Sequence, residues 1–268
     1  MKYTRVLSIA GSDPSGGAGI QADLKTLSAC GCFATTALTA IVDENTMGVY
    51  GVHPVPIDFV KGQIKSVLDD IGTDAIKIGM LHSSELIRAV KEVLLPYQIR
   101  NIVLDPVMVA TSGGKLLMDE AIATLKHELL PMARVITPNI PEAEILLGRK
   151  ISQQTDLPGV AKELSHKGRV SVLLKAGHFS DEELVDIFYN AETDETIELP
   201  SPRIATNNTH GTGCTLSSAV AAFLAQGLAL NEAIVKAKNF IHSAIVEGAR
   251  YQIGKGNGPV HHFHAWWK

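Results

Sequence analysis

Residues 208–227, NTHGTGCTLSSAVAAFLAQG, set two glycines and a cysteine at the start of an apolar, alanine-rich stretch. Small residues that open a helix leave several backbone N–H groups without intrahelical acceptors, so Gly211, Thr212, Gly213 and Cys214 can turn theirs toward one anion. The helix dipole favours negative charge at the same point. A bound phosphate suits this segment; close packing of a glycine-rich helix start is the alternative. Thiol pKa values tend to fall at helix N-termini, which makes Cys214 a candidate base for a reacting hydroxyl. A small, inert, buried thiol is the competing reading.

A second glycine-rich turn, GSDPSGGAG (residues 11–19), has the Gly-x₄-Gly spacing of a P-loop at Gly11 and Gly16. Gly17 and Ala18 stand where that loop needs Lys and then Ser or Thr, so this turn is not a P-loop. Two further residues, Asp105 and Lys175, end apolar strand-like runs, and a third such run leads into TPNIPEAEILL. Asp105 in VLDPVM suits a metal or phosphate-side role, or a turn cap, since a buried carboxylate needs a partner. Lys175 suits a nucleotide phosphate or an edge position from which its ammonium snorkels to water. In TPNIPEAEILL, Asn139 and Glu142 have capping-box spacing, and Glu142 could also sit beside magnesium, usually through water. The tail GNGPVHHFHAWWK carries His261, His262 and His264 with no nearby Cys or carboxylate, which favours packing over zinc.

These residues require elements to carry them. Helical and strand patterns alternate along the chain, which predicts a mostly parallel sheet covered by helices. Strands are expected at Arg5–Ala10, Thr35–Val42, Ala75–Ile78, Asn101–Leu104, Arg134–Ile136 and Val170–Lys175. Helices are expected at about Gly19–Cys30, Ile57–Ile71, Gly213–Gln226 and Asn231–Tyr251, with Phe59, Val60, Ile64, Val67, Leu68 and Ile71 forming the apolar stripe of the second. Asp186–Leu199 reads as a hairpin. Ligands of open parallel sheets sit at the strands' carboxyl ends. The conspicuous loops fall there repeatedly, at GSDPSGGAG, DENTMG, GML, DPVM, TPNIPE and AGH.

The 268 residues, 46% of them hydrophobic, fit one large α/β domain spanning 1–268. A net charge of −4 gives no basic footprint for nucleic acid. The three cysteines form no C-x-x-C pair, which argues against a disulfide framework and for a reducing cytoplasm. No run of about 18 apolar residues is present to span a membrane.

Taken together, AGSDPSGGAGIQADLKT, KIGML, VLDPVM, ITPNIPEA, KAGH, NTHGTGCTLSSA and GKGNGPVHHFHAWW resemble the hydroxymethylpyrimidine/phosphomethylpyrimidine kinases of the ribokinase-like superfamily, essentially end to end. The resemblance implies a three-layer α/β sandwich with a mostly parallel sheet and helices on both faces. It implies an ATP- and magnesium-dependent homodimer that phosphorylates 4-amino-5-hydroxymethyl-2-methylpyrimidine and then its monophosphate, in thiamine biosynthesis. It places the pyrimidine among Gly11, Ala18, Asp23, Glu44, Met80, Val107 and Cys214, closed over by the first glycine-rich turn. It places Thr209–Cys214 (Thr209, Gly211, Thr212, Gly213, Cys214) around the transferred phosphate, Lys175 on the ATP phosphates, and Asp105 and Glu142 near magnesium. Many ribokinase-like relatives carry Asp where this chain has Cys214; the pyrimidine kinases share the Cys. Glu44 departs from the usual Gln. That leaves a pyridoxine or pyridoxal kinase of the same fold as the alternative, with a non-catalytic vitamin-binding protein behind it.

Overall fold

The computed structural model describes residues 3–108 and 117–267. Among these, the chain runs β1 (Arg5–Ala10), α1 (Gly19–Ala29), β2 (Phe33–Leu38), β3 (Ala40–Asn45), β4 (Gly48–Pro54), α2 (Ile57–Asp70), β5 (Ala75–Ile78) and α3 (Ser84–Leu94). It continues through β6 (Ile102–Leu104), α4 (Asp119–Thr124), β7 (Val135–Ile136), α5 (Ile140–Leu147), α6 (Leu157–Leu164) and β8 (Ser171–Leu174). The hairpin β9 (Glu183–Asn190) and β10 (Glu195–Pro202) then leads to α7 (Thr212–Ala225) and α8 (Leu230–Gly248). The main sheet has the order β10-β9-β8-β7-β6-β5-β1-β2. Its six strands from β8 to β2 are parallel, and β9 and β10 join antiparallel at one edge.

The period-two alternation of the strands makes the layers. Leu7, Ile9, Ile76, Ile78, Ile102, Leu104, Ile136, Val172 and Leu174 face one helical layer. Val6, Ala75, Val103, Val135 and Leu173 face the other, where α7 and α8 pack. Both faces are covered, which is why these strands read as continuous apolar runs. In α2 the buried residues are Val60, Ile64 and Leu68, at helical spacing; Phe59, expected on the same stripe, is 68% exposed.

One expectation fails here. Thr35–Val42 is not a single strand: it breaks at Thr39, between β2 and β3. Thr39 donates its N–H to Ala10 O and its hydroxyl to Met80 O, and its own carbonyl accepts from Val55 N. Satisfying these partners takes the chain out of the main sheet. It then forms a separate antiparallel hairpin, β3–β4, over the carboxyl ends of the strands. No helix among the described residues is long and apolar enough to cross a membrane.

Candidate active site

The carboxyl ends of β1, β5, β6, β7 and β8 and the start of α7 enclose one cleft of about 470 Å³. At its centre is the start of α7. Gly211 caps the helix at φ 75°, a left-handed conformation that favours glycine, and a Cβ there would overlap the carbonyl of Gly17. The two glycine-rich segments are thus in direct backbone contact. The first intrahelical bond runs from Thr215 N to Gly211 O at 2.9 Å, so the N–H groups of Gly213 and Cys214 precede the helical ladder. A Cβ on Gly213 would lie 3.2 Å from Lys175 Nζ and 3.4 Å from Asp105 Oδ2, so the helix start lies close against both charges.

Three neighbouring strands deliver those charges. Asp105 follows β6, Glu142 lies in the first turn of α5 just beyond β7, and Lys175 follows β8. Lys175 Nζ donates to Asp105 Oδ1 at 3.1 Å, and Thr137 Oγ1 donates to the same oxygen at 2.8 Å. Burial opposes ionisation of Asp105, but Lys175, Lys77 and Thr137 outweigh it and hold the carboxyl below its ordinary value. Glu142 completes the capping box its spacing predicts. It accepts Asn139 N at 2.8 Å and donates its own N–H to Asn139 Oδ1 at 2.9 Å. Burial, with the charge of Asp105, pushes Glu142 up to about 7, against the pull of Lys175. The cap therefore does not satisfy this carboxyl; a second positive charge would.

Cys214 requires a correction. A helix start should lower its pKa, yet the thiol is pushed up to about 12. Burial is the largest cause, and the nearby Asp23 and Asp105 add to it; Lys77 and the backbone N–H of Gly19 pull the other way without prevailing. At neutral pH the group is a thiol. Gly19 opens α1, so the N-termini of α1 and α7 both converge on this sulfur.

At the other end of the cleft stand Gly11, Ala18, Met80 and Val107, with Val42 and Glu44 of β3 above them. Asp13 is the hub of the first glycine-rich turn. It accepts Ala18 N at 2.6 Å, Gly17 N at 3.0 Å and Ser15 N at 2.8 Å, and His210 Nε2 lies 2.8 Å from its Oδ2. Burial opposes the charge on Asp13, and His210 with the Ser15 and Ala18 donors more than restores it, so the carboxyl stays well below its usual range. Polar atoms of Asp13, Glu44 and His210 lie within 4.8 Å of one another. Burial, then the charge of Asp13, raises Glu44, while His210 opposes the rise.

Of the residues expected at the site, Gly11, Ala18, Glu44, Met80, Val107, Asp105, Glu142, Lys175, Thr209, Gly211, Thr212, Gly213 and Cys214 line the cleft. Asp23 does not. It is fully buried behind the wall, where Lys77 Nζ reaches both its oxygens at 2.8–2.9 Å and the hydroxyls of Ser8 and Ser218 donate to it. Lys77 occupies the cleft floor instead. The reason is register: Lys77 alternates with Ile76 and Ile78, so it points to the layer of α1 and α7, where Asp23 stands. Asp13, Lys77 and His210 were missed by sequence reasoning. The tail histidines are packing groups: His262 lies 3.2 Å from Thr215 Oγ1 and the His264 ring lies 4.9 Å from that of Phe240.

Against known proteins, the sequence model of the phosphomethylpyrimidine kinase family matches residues 13–261. The chain belongs to this family. It is 48% identical to the hydroxymethylpyrimidine/phosphomethylpyrimidine kinase of Rhizobium meliloti, over 98% of both chains. It is 46% identical to the protein of that name from Escherichia coli over the full length of both. The fold superposes on a pyridoxal kinase of Bacillus subtilis solved as an ADP complex, with a TM-score of 0.90 and 39% identity, covering 98% of this chain and 99% of that one. The fold of the phosphomethylpyrimidine kinase family is thus ribokinase-like, with a mostly parallel sheet flanked by helices.

Proposed function

We propose that this chain, as one domain, transfers the γ-phosphoryl group of ATP to the hydroxymethyl group of 4-amino-5-hydroxymethyl-2-methylpyrimidine. It then phosphorylates the monophosphate to the diphosphate, two steps of thiamine biosynthesis. The observation that carries this reading is the start of α7, where free N–H groups, Lys175 and Asp105 meet Cys214 at one point of the cleft. The acceptor ring fits beneath the β3–β4 hairpin, among Gly11, Glu44, Met80 and Val107. ATP fits toward Lys175 and the apolar walls at Leu184, Ile204, Ile241 and Ile245. The same reading makes the protein a cytoplasmic homodimer, and the exposed Ile41, Tyr50 and Val52 of the hairpin suit an interface between copies.

Phosphoryl transfer passes through a loose transition state, so catalysis is mainly positioning and charge stabilisation. The N–H groups of Gly213 and Cys214 hold the transferred group, and Lys175 balances the charge of the departing phosphates. Cys214 orients the acceptor hydroxyl, and its thiolate form, a minor fraction at neutral pH, takes the hydroxyl proton as the new P–O bond forms. Asp105 and Glu142 fit a magnesium ion. Both are oxygen donors, and Glu142 is a buried acid short of positive charge. When bound, that ion supplies charge neutralisation to the phosphates.

Incubation with ATP, magnesium and the hydroxymethyl pyrimidine is expected to give the mono- and then the diphosphate, seen by phosphorus NMR. Turnover with neither this alcohol nor pyridoxine would remove the kinase reading. The superposition on a pyridoxal kinase favours a second reading, in which pyridoxine or pyridoxal is the better acceptor. The ratio of kcat/KM values for the two alcohols decides between them.

Glu44 gives a pH-dependent prediction. The pyrimidine offers an amino donor beside a ring-nitrogen acceptor, and an ionised carboxylate can only accept. An unsatisfied ring nitrogen costs about 1–3 kcal/mol, or roughly ten- to a hundredfold in binding. The cost vanishes while one proton is shared between the ring and Glu44, and the upward shift of Glu44 favours retaining it. Binding then weakens as pH rises and the proton leaves. KM for the pyrimidine is expected to climb between pH 6 and 9 in the wild type and to stay flat in Glu44→Gln. Parallel profiles would take Glu44 out of ring recognition.

A further inference from the structure

The C-terminal stretch GKGNGPV (residues 254–260) plays no part in the chemistry above, yet it touches both ends of the machinery. Its glycines wrap the two-residue turn, Thr46–Met47, that joins β3 to β4. Thr46 Oγ1 accepts Lys255 N and Gly256 N, both at 3.2 Å, and Thr46 O accepts Asn257 N at 2.9 Å. The approach is too close for side chains: a Cβ at Gly254 would overlap the Thr46 side chain, and one at Gly256 the Thr46 carbonyl. Gly254 also has φ 78°, where non-glycine residues are strained. Four residues after Gly254 the same stretch of chain accepts His210 N at Gly258 O, 3.0 Å, at the entrance to α7.

The hairpin is therefore held at two points. At its base, Ser12 N donates to Ala40 O at 2.9 Å, and Val42 N donates to Ser12 Oγ at 3.0 Å. At its tip Thr46 meets the strap through both its hydroxyl and its carbonyl. Glu44 lies between, two residues from the tip, and β3 is irregular at Asp43/Glu44, where the register with β4 shifts. A bulged strand has fewer ladder bonds to fix its local position. The tip tether supplies what the ladder lacks.

With the acceptor ring bound beneath the hairpin as proposed above, we infer that Thr46 is a positioning residue for the reaction. Its hydroxyl ties the hairpin tip to the C-terminal strap and so holds Glu44 and Val42 against the ring. Thr46 touches no reacting atom. Its contribution is to acceptor binding, and ATP and the phosphoryl-transfer centre are served by other elements.

Thr46→Val keeps the branched shape and removes the hydroxyl; Thr46→Ser restores it. Thr46→Val is expected to raise KM for the hydroxymethyl pyrimidine about tenfold, the scale of two lost hydrogen bonds. Its kcat and its KM for ATP should stay within about twofold of wild type, and Thr46→Ser should match wild type. Thr46→Ala must repeat the valine result should valine impair folding, which thermal unfolding reports. Independently of turnover, hydrogen exchange of the free protein is expected to speed up about tenfold for amides of residues 41–49 in Thr46→Val, and not in Thr46→Ser. Unchanged exchange would overturn the tether. Faster exchange with an unchanged KM would overturn the positioning role. Equal loss in the valine and serine variants would make Thr46 a merely structural residue. A wild type that turns over neither alcohol defeats the kinase reading alone, because the exchange measurement still decides the tether.

Discussion

Lys175→Met is expected to lower kcat by about 10²–10³-fold, the scale on which removing one preorganised charge-stabilising donor acts. Methionine keeps the unbranched, flexible stem and lacks only the ammonium end, so the loss reports charge. Lys175 is the cation in contact with Asp105, and its ammonium lies 3.1 Å from a carboxylate that is itself only 3% exposed. Burial alone lowers the pKa of Lys175; Asp105 and Glu142 more than reverse that and raise it above its ordinary value, so the ammonium stays charged through the working range. Without it, Asp105 keeps the charge of Lys77 but loses its hydrogen-bonded cation, and Glu142 loses the charge that pulls it down. Breaking such a pair typically costs about 3–5 kcal/mol, so the melting temperature of the free protein should fall as well. The two effects separate in a simple way. High magnesium should restore part of the stability, whereas kcat at saturating ATP should stay low. A kcat within tenfold of wild type would mean that the backbone N–H groups and the metal carry the phosphate charge between them.

How much of this was legible in the sequence depends on how far apart the partners lie along the chain. β1 and β5 occupy the residues their apolar runs predict, because a strand buried on both faces announces itself locally. The Asn139–Glu142 cap was readable for the same reason, being a contact across three residues. The β3–β4 hairpin was not. β4 is largely exposed, carries Gly51 and ends at Pro54, so it lacks the alternation that marks a strand. The buried Lys77–Asp23 pair spans 54 residues and the Asp13–His210 pair 197, and neither half is informative without the other. Lys77 in particular reads as a defect in an apolar strand until α1 is packed over it.

Cys214 shows where a local rule meets a non-local environment. The position of the thiol at a helix start was visible, and so was the expectation of a lowered pKa. What the sequence did not disclose is that two carboxylates, Asp23 and Asp105, converge on the same pocket from other elements, and that the site is deep. Burial, the largest cause, together with those carboxylates raises the thiol further than the adjacent Lys77 and the Gly19 N–H lower it.

That environment shapes the result expected for Cys214→Ala. Loss of a positioned proton acceptor should lower kcat by roughly 10²-fold, with little change in KM for either substrate. The pH dependence carries the sign. A thiol at about 12 is almost wholly protonated at neutral pH, and its thiolate fraction grows about tenfold per unit of rising pH below that value. If the thiolate takes the proton, wild-type kcat climbs between pH 7 and 9 while the alanine variant stays flat, so the gap between them widens toward alkaline pH. A loose transition state asks little of a base, since the hydroxyl gives up its proton late. The thiol is therefore expected to matter most where its thiolate is most populated. An alanine variant within about threefold of wild type at every pH would show that the convergent N-termini of α1 and α7 suffice, and that Cys214 only fills the floor of the cleft.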